Sequence, residues 1–170
     1  MKVTSAQAAK ILRKLEDDLS ALRNNEDMSR SFNAAVGEDV ESVRPVYDYE
    51  QTQKDIAEIE EKVRRLKHTI NLFNVQQEVS GFDMTIDQLL VYIPQLSRQR
   101  SKLGEMKSVL PKTRAELGYR ASNVNIIDYT YANYDIGKVS EDYDTVTDLL
   151  ARAQTALDTL NNTVTFDIDI

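Results

Sequence analysis

Residues 49–79 read YEQTQKDIAEIEEKVRRLKHTINLFNVQQEV, and this stretch decides the fold class. Tyr49, Thr52, Ile56, Ile59, Val63, Leu66, Ile70 and Phe73 recur at alternating spacings of three and four, which lines them along one stripe of an α-helix. No Gly or Pro interrupts the run. Glu60 with Arg64 and Glu61 with Arg65 stand one turn apart in the favourable order, at about 0.3 kcal/mol each. Burial of the stripe, not its charges, therefore holds this helix, read as spanning about 46–79.

The same spacing appears on either side. Upstream, Thr4 followed by Gln7 makes a capping-box pattern, and Ala8, Leu12, Leu15, Leu19 and Leu22, widened by Ile11, carry a helix over about 4–24 that ends at Asn24-Asn25. Downstream, Gly81 breaks the long helix and Thr85 with Gln88 repeats the capping-box pattern, with Met84 and Leu89 at the staple positions. A third helix over about 85–110 then carries Ile86, Leu89, Ile93, Leu96, Leu103 and Leu110 and stops at Pro111. Pro94 lies inside it, where the missing N–H and ring clash cost about 3 kcal/mol, so a kink or short break is expected near Val91 to Pro94. Arg100 and Lys107 occupy stripe positions that call for apolar residues. Ser140 is placed to cap a fourth helix over about 140–161, with Tyr143, Val146, Leu150, Ala153, Leu157 and Leu160 as its seam.

Two segments lack the helical period. Residues 26–45, with Gly37, Glu38-Asp39 and Pro45, read as a long connection tacked down by Phe32 and its valines. Residues 112–136 are β-branched and aromatic (Val124, Ile126, Ile127, Tyr129, Tyr131, Tyr134) and read as extended. The tail alternates Val164, Phe166, Ile168 and Ile170 with Thr165, Asp167 and Asp169, the period of a half-buried strand. Pairing of 124–131 with 164–170 is the expected two-stranded element. The expected architecture is one mainly α domain, 1–170: a four-helix, long-helix antiparallel bundle, coiled-coil-like, with that small sheet at one end.

Composition excludes several kinds of chemistry. The chain has 170 residues and no Cys, which removes disulfides, thiolate nucleophiles and Cys-based metal sites and points to a reducing, cytoplasmic setting. No apolar run approaches the roughly 20 residues of a membrane span, and the first residues lack a signal-peptide core. The net charge of −7 comes from acids interleaved with bases along helices, which disfavours nucleic acid. There is no phosphate loop, metal-ligand pair or nucleophile motif, and no cofactor or metal is expected. The lone His68 lies between seam residues Leu66 and Ile70, off the stripe.

One polar group is singled out as a low-specificity site. Asn71 and Asn74 flank the seam of the second helix, and Arg98 and Arg100 stand on the third. They could form a buried polar network that fixes register, or a ligand site between helices. The tyrosines at 129, 131 and 134 could form a binding platform or pack as a cap.

Ile70-Asn71-x-x-Asn74, Met84-Thr85-Ile86 and Leu96-Ser97-Arg98-Gln99-Arg100, taken with the order of elements, resemble a bacterial family of helical proteins of comparable length often labelled septicolysin. The resemblance covers most of the chain through short motifs, and Pro94 and the alternating tail depart from its pattern. The label implies pore formation, whereas the residues offer no membrane strands and no tryptophan. The functional expectation is an intracellular structural or interaction protein that forms homo-oligomers, with enzymatic activity left open and leaning against. The alternatives are a chaperone-like or assembly factor gripping clients with the end sheet and the 26–45 loop, and an enzyme or small-ligand protein using the Asn/Arg cluster.

Overall fold

The computed structural model of the chain describes residues 1–115 and 128–170. Its elements are β1 (Lys2–Thr4), α1 (Ser5–Ser29), α2 (Val40–Val43), α3 (Tyr49–Gln76), β2 (Glu78–Val79), β3 (Met84–Thr85), α4 (Ile86–Lys107), β4 (Lys112–Arg114), β5 (Tyr129–Tyr131), α5 (Ile136–Thr163) and β6 (Thr165–Asp167). The fold is mainly α, with small two-stranded antiparallel sheets, as expected. Both capping boxes form: Thr4 and Thr85 accept from the backbone N–H of Gln7 and Gln88, whose side chains accept from the cap N–H in return.

The chain divides into two compact units, residues 1–77 with 158–170, and residues 78–157. In the first, α1 and α3 run antiparallel. As α1 advances from Glu16 to Arg23, the partner on α3 retreats from Lys67 to Glu60, in ion pairs of 2.7 and 2.6 Å. These pairs are exposed and contribute no more than about 1 kcal/mol each. The packing is apolar: Val3, Ala8, Leu66 and Ile168 are buried together, flanked by Ile11, Leu12, Leu15, Ile70 and Phe166. Phe73 stacks on Phe166 with ring centroids 4.4 Å apart. Strand β1 supplies the buried Val3 and the buried Ile168 directly follows β6, the two strands pairing in the register Lys2↔Asp167, Val3↔Phe166, Thr4↔Thr165. The Met1 nitrogen and the Ile168 N–H each donate to the other residue's carbonyl, at 2.6 and 2.9 Å.

In the second unit β2 and β3 form a hairpin, Val79 opposite Met84 and Glu78 opposite Thr85. Gly81 turns it at φ +83°, a backbone that L side chains rarely adopt. Helices α4 and α5 are antiparallel: Tyr143, early in α5, lies against Gly104, late in α4, and Arg152, farther along α5, sits over the Phe82 ring in the hairpin that precedes α4. A Cβ on Gly104 stands 3.3 Å from the Tyr143 ring, so the glycine permits this approach. Val79, Ile86, Leu89, Leu96, Val139, Val146, Leu150 and Ala153 are the buried apolar residues of this unit.

Several expectations are corrected. The tail strand pairs with β1, not with the 124–131 segment; β5 pairs with β4 instead, Lys112↔Tyr131, Thr113↔Thr130 and Arg114↔Tyr129. Pairing inside the 112–136 segment closes a much shorter loop than reaching the tail does. Val124, Ile126 and Ile127 lie outside the described residues. Helix α5 starts at Ile136, before Ser140, because Asp135 takes the cap: its carboxylate accepts from Lys138 N–H and its carbonyl from Val139 N–H. Helix α4 runs unbroken through Pro94. The carbonyl that Pro94 cannot serve belongs to Leu90, and both residues lie on the exposed side, where water can take that hydrogen bond. Helix α1 continues past Asn24-Asn25 to Ser29, α3 starts at Tyr49 after the Asp48 cap, and α4 ends at Lys107, leaving Val109 and Leu110 exposed.

Candidate functional site

Asn71 and Asn74 stand in the last turns of α3, in the first unit, and Arg98 and Arg100 on α4, in the second. All are exposed except Asn74, which is half-buried. Among the described residues no polar or charged side chain is buried. Helix register is thus set by apolar packing and not by a buried polar network. His68 is exposed, and no group of three or more His, Asp or Glu side chains is placed to hold a metal ion among the described residues. Lys107 explains its own place on the apolar stripe: its ammonium sits 4.2 Å over the Tyr143 ring centroid and 3.9 Å from Asp144.

The tyrosine cluster separates into two roles. The Tyr134 hydroxyl donates to the Met106 carbonyl at 2.9 Å and ties the base of the β4–β5 ribbon to α4. Tyr129 and Tyr131 are exposed on the ribbon itself, and the Lys112 ammonium lies 4.0 and 5.4 Å from their ring centroids. Backbone bonds from Ala115 to Asp128 and from Ala132 to Pro111 extend the pairing at both ends. The two aromatic faces and the lysine ammonium against them make an exposed, partly apolar surface, with no acid–base pair among the ribbon's described residues.

The long connection is tied down by a residue the sequence did not single out. The Glu26 carboxylate, on the last turn of α1, accepts from the Tyr47 hydroxyl at 2.8 Å and from the Gln53 amide at 2.6 Å. Partial burial, then the Glu26 carboxylate beside it, raises the Tyr47 phenol above its ordinary pKa. A lone Glu in a helix tail carries no such signal; Tyr47 and Gln53, on either side of the Asp48 cap, find it only once α1 and α3 are paired. Farther out, Arg44 is bidentate to Glu41 at 2.7 and 2.9 Å and lies 5.2 Å over Phe32. That hydrogen-bonded pairing holds the Glu41 carboxyl below its usual range and Arg44 above. Of Val36, Val40 and Val43, expected to tack the loop down, only Val43 is half-buried; Val40 is exposed and Val36 fully so, as is Val46 just past the loop.

Two clefts are open grooves. One of about 320 Å³ lies over the start of α4, lined by Met84, Asp87, Gln88, Val91, Tyr92 and Gln95; another, of about 240 Å³, is lined by Glu58, Glu61, Lys62, Arg65 and Ile170. In the second, Arg65 is already paired with Glu61 at 2.7 Å. No helix among the described residues is long and apolar enough to cross a membrane.

No family model matches the chain, and no curated protein matches it. Among solved structures it is similar to a functionally unknown conserved protein from Corynebacterium diphtheriae, with a TM-score of 0.61 and 16% identity over 98% of this chain and 100% of that one. The two share a fold.

Proposed function

We propose that this chain is a cytoplasmic interaction protein that works by self-association, its helix pairs acting as coiled-coil-like scaffolding and its exposed ribbon as the contact. The β4–β5 ribbon carries this reading. Five of its six residues are exposed and Thr113 is half-buried, and a lone two-stranded ribbon is marginal in water. A partner that covers Tyr129 and Tyr131 supplies what the ribbon lacks. The absence of Cys supports the intracellular assignment. The likeness to the septicolysin-labelled family belongs to the proposal as a shared helical architecture, without pore formation.

Light scattering coupled to size exclusion, across a concentration series, tests the reading. A stable oligomer that is lost in Tyr129→Ser/Tyr131→Ser supports it; a monomer at every concentration refutes it.

A second reading, a client-binding assembly factor, is favoured by one observation. Val36 and Val46 project fully from the 26–45 connection and its margin, held out by the Glu26 and Arg44 clasps. Deleting residues 31–45 then abolishes client capture while helix content stays.

A further inference from the structure

The order of elements repeats. A short strand opens directly into a helix through a Thr–Gln capping box at Thr4 and at Thr85. A long connection follows. Then a second helix begins behind an Asp cap, at Asp48 and at Asp135, and both of these helices are 28 residues long. Each runs within two residues into a closing strand, β2 or β6. The seams correspond as well: Leu66 and Ala153, fully buried, hold the same place relative to the Asp cap. The chain is two copies of one β-α-α-β design.

The pairing of the copies is reciprocal. The opening strand of the first takes the closing strand of the second, Val3 opposite Phe166 and Thr4 opposite Thr165. The opening strand of the second takes the closing strand of the first, Met84 opposite Val79 and Thr85 opposite Glu78. Counted from the Thr caps and the helix ends, the register is the same. Each compact unit accordingly contains the closing strand of the other copy: β6 lies in the first unit and β2 in the second. Neither copy completes its own sheet.

We infer that the chain self-associates by exchanging copies: the opening and closing strands of one chain pair with those of a second chain, in the register they use within one. This rests on the self-association proposed above: contact through the ribbon brings two chains together, and the exchange follows it. The exchange needs no new surface, because a second chain presents the same strands and seams. What joins the two copies in one chain is the turn Ser80–Asp83, exposed except for the half-buried Phe82; opening it lets the first copy of each chain meet the second copy of the other, the economy by which domain swapping makes dimers.

The absence of Cys makes the test direct. Met1 and Ile168 exchange both backbone hydrogen bonds, so Lys2 and Asp167 form the adjacent non-hydrogen-bonded pair, with Cα atoms about 4.5 Å apart, within disulfide reach. Both are exposed. The full chain carrying Lys2→Cys/Asp167→Cys is separated by size, each fraction is oxidised, and the products are run on a denaturing gel without reductant. The exchange predicts cross-links between chains in the dimer fraction and within chains in any monomer. A dimer whose cross-links all lie within chains overturns the exchange and leaves self-association through another surface, the ribbon first. A monomer alone at every concentration overturns both.

Gly81→Val is the second variant. A Cβ there meets nothing within 4 Å, but φ +83° is strained for Val, so the closed turn is penalised while the strand contacts are untouched. The dimer's association constant is expected to rise roughly a hundredfold, because both chains shed the cost of left-handed backbone for a non-glycine residue, about a factor of ten apiece. An unchanged or smaller dimer fraction in a folded Gly81→Val chain counts against the exchange.

Discussion

Two ribbons in this molecule have three residues per strand and an unbroken antiparallel register, and they meet opposite fates. In β1·β6, Val3 and Phe166 turn toward the α1–α3 pair and Val3 is 5% exposed. In β4·β5, Tyr131 is 61% exposed and no residue is buried. Backbone pairing is the same in kind, so hydrogen bonding does not distinguish them. The difference is what lies beneath: β1·β6 is held by side chains reaching a helical core, and β4·β5 has no buried residue among those described.

The sharpest way to break the comparison is to empty the supported core. Leu66→Ala, at a fully buried position, is expected to cost about 2–5 kcal/mol in urea unfolding; a loss under about 1 kcal/mol rules out a shared core beneath β1·β6. Overfilling it is the next test. Ala8 is also fully buried, and Ala8→Leu should cost about 1–3 kcal/mol, seen as an earlier urea midpoint at unchanged slope. Thr4→Ala and Thr85→Ala each remove one capping box and should cost about 1 kcal/mol apiece. Near-equal losses in thermal melts support the equivalence of the two copies, and a large disparity weakens it. On the unsupported ribbon, Tyr129→Ser/Tyr131→Ser should change stability by less than about 0.5 kcal/mol while abolishing association in light scattering.

The smallest expected effect is alkaline. Tyr47 has a pKa raised above its ordinary value of 10.0 by partial burial and by Glu26. A raised folded pKa means that its stabilisation is fully present below the unfolded value and is lost as pH rises through the folded one. Wild type should therefore lose stability relative to Tyr47→Phe as pH rises above about 10, measured by urea unfolding at each pH. Parallel curves dismiss the clasp as a contributor.

The helices were legible because each carries a long seam and a strong start: eight seam residues from Tyr49 to Phe73, and the Thr4–Gln7 and Thr85–Gln88 boxes, admit one local reading. The sheet partners were not, for reasons of scale. Strand β1 has one buried residue, Val3, too little to show a period, and Thr4 had already been read as a cap. At the start of α5, Asp135 and Ser140 are both able caps; the former takes the role, its side chain and carbonyl accepting from Lys138 and Val139 N–H. Asn71, Asn74, Arg98 and Arg100 show the limit on the functional side. Polar residues beside a seam look the same in sequence whether they are buried or solvated, and three of these four are exposed. Glu26 shows the converse, since its partners Tyr47 and Gln53 come from a separate helix and its approach.

The hydrogen bonds between Met1 and Ile168 join residues near opposite ends of the chain, and translation makes them in order. While the ribosome adds α4 and α5, α1 and α3 are already out and can pair, yet β1 has no strand beside it and the hollow for Ile168 is unfilled. Such long-range closure is slow. Neighbouring nascent chains on one message pass through this stage together, which is where the proposed exchange with a sibling chain would compete with closing alone.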